Sequence, residues 1–295
     1  MNDPAKGVED LEEAESVFHS VRGRLFGIAY RMLGSVAEAE DILQEVWIRW
    51  QTYDRSTVQN AQAFLATTTT RIAINVLKSA RVRREAYVGP WLPEPVDTSN
   101  DPALGAERGE ALEMAVLMLL EKLTPTERAA YVLREAFDYS YDQIAEVMGQ
   151  TNANVRQLAS RARKHLAAQK RASVASAEHQ RFLTAFMAAA KTGDVAVLEK
   201  LFAEDVVSYA DGGGAVRASK FPVVGRERVA KYMHAFAPRF WSGVTMEPVE
   251  TNGRPGLRLY RDGGLFAVVT VSVSEGGIDR VLWVMNPSKL AAMAA

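Results

Sequence analysis

The stretch from Tyr141 to Leu166, YDQIAEVMGQTNANVRQLASRARKHL, restricts the fold of this chain more than any other. Ile144, Ala145 and Met148 share one face at helical spacing, and Gly149 suits a left-handed turn. Val155 and Leu158 then face back onto the first helix, and Ala145 is small where the two helices cross. This is the pattern of a helix-turn-helix. The other face of the second helix offers Asn154, Arg156, Gln157, Ser160, Arg161 and Arg163, side chains that can read base edges and phosphates in a major groove. From Thr151 to Ala177 there is no acid, while Arg156, Arg161, Arg163, Lys164, Lys170 and Arg171 are basic. The whole chain carries a formal net charge of −1, so this nucleic-acid footprint is local.

The rest of the chain falls into blocks of different texture. Its 295 residues, 48% hydrophobic, suffice for two or three domains with real cores. Leu11 to Arg84 reads as helical: a run from Val17 to Leu33 stops at Gly34, Ser35 and Glu38 form a capping-box pattern for the next helix, and a further helix begins at Ala61. Residues 87–106 hold Pro90, Pro93, Pro95 and Pro102 and read as an extended linker. Residues 107–171 are helical again, with Thr124, Pro125 and Glu127 as a strong start signal. Residues 177–295 change character. Helices over Ala177–Thr192, Val195–Phe202 and Arg226–Phe240 accompany strands over Val244–Glu250, Gly256–Arg261, Leu265–Val273 and Ile278–Met285, turned by Asp262-Gly263-Gly264 and Glu275-Gly276-Gly277. The expectation is helices on a curved antiparallel sheet.

Composition excludes several chemistries. Without cysteine there are no disulfides, thiolate metal sites or cysteine nucleophiles, and no metal or cofactor motif is evident. The acidic N-terminus has no apolar core and does not read as a signal peptide, and no apolar run is long enough for a membrane span. A reducing cytoplasm fits these features.

Two further helices present polar faces. Arg71, Lys78, Arg81, Arg83 and Arg84 make a second basic stretch, preceded by Thr67–Thr70, hydroxyl residues suited to meeting a nucleic-acid backbone. Asp41, Gln44 and Glu45 lie at i, i+3 and i+4 on one face of a helix whose buried side is Leu43, Val46, Trp47 and Trp50. An acid and amide face beside basic ones suggests a protein partner with basic residues.

On these residues the chain resembles the sigma-70 superfamily. LFGIAYRMLGSVAEAEDILQEVWIRW is similar to its region 2, and LTPTERAAYVLREAFDYSYDQIAEVMGQTNANVRQLASRARKHL to its region 4. With no region 3 between them, the match is to the extracytoplasmic-function group. The Trp91-Leu92-Pro93-Glu94-Pro95 linker resembles that of a subgroup with a SnoaL-like C-terminal domain. Two more of its motifs are present with one change each: Asp211-Gly212-Gly213-Gly214 is followed by Ala215 in place of lysine, and Asn286-Pro287-Ser288-Lys289-Leu290 has Ser288 in place of aspartate.

The resemblance implies two all-α sigma domains (residues 11–86 and 107–171) joined by the linker and followed by an α+β SnoaL-like cone. It implies that Asp41, Gln44 and Glu45 bind the β′ clamp helices of core RNA polymerase. A base of the −10 element is captured between Tyr53 and Ala63, and Arg71, Asn75 and Arg81 contact −10 DNA. The helix-turn-helix reads the −35 element and rests on the β flap. The C-terminal domain is expected to regulate in place of a separate anti-sigma factor, through the WLPEP, Asp211–Gly214 and Asn286–Leu290 segments, and a small-molecule ligand for it is compatible with the cone. Tyr209, Asp211 and His234 are its acid–base candidates, but a lone helical histidine more often serves structure, so a non-enzymatic domain is expected. A DNA-binding regulator that recruits nothing leaves the acidic helix unused, and an enzyme with a nucleic-acid-binding front end requires turnover from the C-terminal domain.

Overall fold

In the computed structural model, residues 4–99, 112–167 and 174–293 are described, with backbone alone for 4–10. Lys170, Arg171 and the linker beyond Ser99 lie outside them. The chain forms two compact units that are not contiguous in sequence. The first comprises Met1–Val82, Ala103–Ala111 and Leu120–Ala168, the second Arg83–Pro102, Leu112–Leu119 and Gln169–Ala295.

The first unit is built from α1 (Pro4–Leu33), α2 (Val36–Thr52), most of α3 (Ala61–Glu85), and, after the short α4 (Met114–Leu120), from α5 (Pro125–Glu135), α6 (Tyr141–Met148) and α7 (Asn152–Ala167). Local chemistry sets the boundaries. Gly34 takes a positive φ, and Ser35 caps α2 by accepting from the amide of Glu38. Thr124 and Glu127 form a reciprocal capping box with Pro125 at the first turn of α5, and Ser140 with Gln143 does the same for α6. Trp50 seats its indole by donating to Ala14 O at 3.0 Å. Among the described residues two arginines are fully buried. Arg128 Nε donates to Arg31 O at 2.9 Å and pairs with Glu121, while the Arg31 guanidinium lies 5.2 Å from the Phe137 ring centroid. A buried guanidinium is tolerated only with such partners. Two of the four hydroxyls at Thr67–Thr70 depart from expectation: Thr69 and Thr70 are completely buried and donate to Leu65 O and Ala66 O, so both serve the core of α3 rather than a nucleic-acid backbone.

The second unit carries α8 (Ser176–Thr192), α9 (Val195–Leu201), α10 (Arg226–Phe240), α11 (Pro287–Leu290) and six strands: β1 (Phe202–Asp211), β2 (Val223–Val224), β3 (Val244–Thr251), β4 (Arg254–Arg261), β5 (Gly264–Ser274) and β6 (Gly277–Val284). The sheet order is β2-β1-β6-β5-β4-β3. It is mixed rather than antiparallel, because β1 runs parallel to β6. Asn252, Asp262 and Gly277 take positive φ in the hairpin turns.

Strand alternation divides the sheet into two buried faces. Phe186, Val229, Val269, Val281 and Trp283 belong to the core under the helices. Val268, Leu282, Val284, Leu290 and Met293 form a second core on the other face, closed by Leu92 and Met114. The proline-rich segment is therefore extended but not a free spacer: Leu92, Pro93, Pro95 and Val96 are buried. Val96 and Thr98 exchange backbone hydrogen bonds with Asn252 and Glu250, adding a short edge beside the end of β3.

Candidate nucleic-acid and polymerase interfaces

In the first unit, Gly149 ends α6 at φ 62°, ψ 40°, with its amide reaching back to Ala145 O and Glu146 O. Ile144, Ala145 and Val147 are buried under α7 with Val155, Leu158, Ala159 and Ala162. Val147 takes the buried place expected for Met148, which is half-buried. Arg156, Gln157, Ser160, Arg161 and Arg163 of α7 are exposed and Asn154 is half-exposed. Several are pre-positioned by neighbours. Arg163 donates to Glu135 Oε1 at 2.8 Å and to the Tyr141 hydroxyl at 3.1 Å. Arg161 lies 3.3 Å from Glu127, and Arg156 donates to Asn152 while sitting 5.1 Å from the Tyr141 ring centroid. The acids balancing this helix come from α5. Glu127 is held below the usual carboxylate range: burial opposes this, but bonds from Thr124 and the charge of Arg161 outweigh it.

On α2, Asp41, Gln44 and Glu45 are exposed together, with Glu45 paired to Arg49. Asp41 and Gln44, with Arg22 and Glu40, border a groove floored by Phe18, Leu43 and Trp47, where the Phe18 and Trp47 rings lie 5.1 Å apart. An aromatic floor beside the exposed Asp41, Gln44 and Glu45, with Glu40 at the rim paired to Arg22, suits a partner helix carrying apolar and basic residues. Between Tyr53 and Ala63, the Tyr53 ring packs 4.5 Å from Phe64 and is 46% exposed, leaving an aromatic surface free to stack.

Two of the three expected −10 residues are engaged with backbone carbonyls. Arg71 donates through Nε to Val147 O at 2.8 Å and through a terminal nitrogen to Glu146 O at 3.2 Å, at the carbonyl end of α6. Arg81 donates to Leu123 O at 3.0 Å. Asn75 stays exposed beside Lys78.

In the second unit the three expected motifs converge. Asp211 is completely buried, and its carboxylate accepts from the Tyr87 hydroxyl at 2.5 Å, Leu92 N at 2.9 Å, Gly213 N at 3.1 Å and Lys289 Nζ at 2.7 Å. Lys289 also donates to Leu92 O at 2.5 Å, and its ammonium lies 4.3 Å from the Trp91 and 4.9 Å from the Tyr87 ring centroids. Arg84 stacks on Trp91 at 3.7 Å, and Glu94 adds to the field felt by Lys289. Asn286 donates to the Tyr87 hydroxyl at 2.8 Å and caps α11 behind Pro287. Leu290 enters the second core. Gly213 has φ 59°, and a Cβ there would stand 2.2 Å from the Asn286 amide nitrogen. A Cβ on Gly212 would meet Val216 O at 2.4 Å, and one on Gly214 would touch Val88. Burial raises the Tyr87 hydroxyl well above its usual range, reinforced by the bond to Asp211. Desolvation lowers Lys289, opposed by Asp211. Of the two departures from the subgroup's motifs, Ala215 is exposed, whereas Ser288, also exposed, donates its hydroxyl to Asn286 Oδ1 at 2.9 Å and so joins the rim of the cluster.

The acid–base candidates do not meet. Tyr209 and Asp211 project to the linker face of β1, whereas His234 lies on α10 with Nδ1 2.7 Å from Gly193 O. Among the described residues no group of acids and histidines is placed to hold a metal, and no helix is long and apolar enough to cross a membrane.

Residues 17–83 match sigma-70 region 2 and residues 113–166 match sigma-70 region 4. These two domains, with the helix-turn-helix and acid-faced helix they contain, define a sigma-70-type factor. The chain is 33% identical to the ECF RNA polymerase sigma factor SigJ of Mycobacterium tuberculosis, covering 93% of this chain and 92% of that protein. It is 29% identical to the probable ECF sigma factor SigI of the same species over 96% of this chain and 97% of that one. The crystal structure of SigJ superimposes with a TM-score of 0.75 at 30% identity, covering 94% of this chain and 98% of that one. The chain belongs to the extracytoplasmic-function RNA polymerase sigma factors, and the match extends through the C-terminal α+β region.

Proposed function

We infer that the protein binds core RNA polymerase through the Asp41, Gln44 and Glu45 face of α2 and directs it to promoters. Arg71, Asn75 and Arg81 contact the −10 element, and Asn154, Arg156, Gln157, Ser160, Arg161 and Arg163 read the −35 element. The observation that carries this reading is the pairing of the exposed Asp41, Gln44 and Glu45 face, beside an aromatic-floored groove on α2, with an acid-free exposed face on α7. A regulator that recruits nothing has no use for the first, and an enzyme has no use for either.

The second unit acts on this activity as a regulatory module, in place of a separate anti-sigma factor. The Asp211–Lys289 cluster clasps the linker at Tyr87, Trp91 and Leu92, and tethering makes such contacts intramolecular. The cluster commits Asp211, one of the three acid–base candidates, to a structural ion pair with Lys289.

Pull-down of core RNA polymerase followed by run-off transcription tests the core reading. Wild type binds and initiates. Glu45→Arg, an exposed position whose pair with Arg49 contributes little to stability, loses core binding and transcripts while keeping its fold. Equal core binding by both proteins removes α2 from the interface.

A further inference from the structure

The second unit holds a cavity of about 320 Å³ on the helical face of the sheet, opposite the linker. That is within the range of small-molecule sites. Trp283 of β6 forms its floor, with the small Ala190, Ala210 and Ala237 leaving the space open. Its walls are aromatic. Phe240 stands edge-on to Trp241 at 4.8 Å and to Trp283 at 5.4 Å, both at 82°. Trp241 is fixed by donating its indole N–H to Ala190 O at 2.7 Å, so it offers a ring face rather than a polar atom. Tyr232 and Phe236 continue the wall along α10, their rings 4.7 Å apart.

Polar chemistry is confined to one side. Arg217 and Ser219, on the loop between β1 and β2, border the opening. Arg217 is exposed, and among the described residues it is the one charged side chain lining the cavity, with no acid beside it. Ser219 donates to Phe221 O, and the Tyr232 hydroxyl bonds to Ser219. Alternation along β1 explains why Ala210 faces this space and Asp211 does not. Among the described residues no carboxylate or imidazole lines the cavity, so it is equipped to hold a molecule rather than to move its protons.

We propose that this cavity is a binding site for a planar aromatic anion, the rings stacked among Tyr232, Phe240, Trp241 and Trp283 and the acidic group at Arg217. Edge and face packing against fixed aromatic rings selects a flat apolar body. A lone guanidinium at a wet rim selects a carboxylate or sulfonate and rejects a cation. The segment from Gly212 to Ser219 has one end at the linker cluster and the other at the opening, so an occupant of the cavity touches the same loop as Tyr87 and Asn286.

The test uses the full chain with 1-anilinonaphthalene-8-sulfonate as the anionic probe and N-phenyl-1-naphthylamine as its neutral counterpart, read by probe emission and energy transfer from tryptophan. Wild type takes up both probes saturably at one per chain. Arg217→Gln weakens the anionic probe about tenfold and leaves the neutral one within about twofold, the tenfold corresponding to about 1.4 kcal/mol. Ala218→Trp, which fills the cavity from the exposed loop, abolishes both. The proposal is overturned if wild type fails to bind the anionic probe, if Ala218→Trp retains both affinities, or if Arg217→Gln weakens the two probes alike or neither. Because binding is read without polymerase or DNA, these outcomes are independent of the sigma assignment.

Discussion

Asp211 and Lys289 carry the largest electrostatic stake in the second unit. Both are buried, so each depends on the other and on fixed donors for its charge. A buried pair is weak evidence for net stabilisation, but removing one partner strands the other and costs about 3–5 kcal/mol. Lys289→Met therefore destabilises the second unit by about 3 kcal/mol in chemical denaturation. Asp211→Asn in the same chain recovers part of that loss, because the stranded charge is gone. A double variant whose loss equals the sum of the singles contradicts the coupling. These residues are legible as motif members whose convergence the resemblance implies, whereas Tyr87 belongs to no motif. Nothing near it in sequence marks a phenol that joins Asp211 to Asn286 across the fold. The cluster assembles without a cation at 215 or an anion at 288: Ala215 faces solvent, and Ser288 bonds to Asn286 through its hydroxyl.

At the level of elements, what was readable were those whose signals are local. Thr124-Pro125-Thr126-Glu127, the Gly149 turn and the glycine hairpins all fix their conformations within a few residues. What escaped depends on distant partners. The parallel run of β1 beside β6 is invisible to periodicity, because pairing direction is set by tertiary packing. Burial of Pro93 and Pro95 was hidden for a similar reason: proline marks the loss of helix, not the face on which an extended chain is laid. Arg161 and Arg163 looked uncompensated because Glu127 and Glu135 lie on another helix. The turn of the helix-turn-helix gives a clean test. A Cβ at Gly149 meets nothing within 4 Å, so the cost of Gly149→Ala is conformational. It should be about 1–2 kcal/mol. Gly149→Asn should cost less, because asparagine visits the left-handed region more readily. Thermal unfolding of the two variants, with −35 duplex binding alongside, reads the order; equal losses argue for a packing defect instead.

For the whole molecule, the useful question is how much free energy a clasp on the linker can exert on a promoter-reading machine. Residues 83–99 belong to the second unit, yet they continue directly from α3, which bears the −10 candidates. Within the first unit, Arg71 and Arg81 already donate to backbone carbonyls, so engaging −10 DNA means giving up those bonds. A charge-assisted bond of this kind is worth about 1.5–3 kcal/mol at most, a tax that polymerase and promoter contacts can overcome. In the regulatory reading proposed above, the linker clasp is the brake. A chain ending at Met285 loses Asn286, Lys289 and Leu290, leaving Asp211 without its cation and Tyr87 without its amide partner. Run-off transcription at subsaturating core polymerase should then rise several-fold over full length, since even about 1.4 kcal/mol shifts an equilibrium tenfold. The binding of core polymerase by α2 should stay the same, because that face lies in the first unit. Output equal to full length, from a chain that still folds, excludes the tail as a brake; lower output makes the C-terminal module an activator, holding the linker in the arrangement that initiation needs.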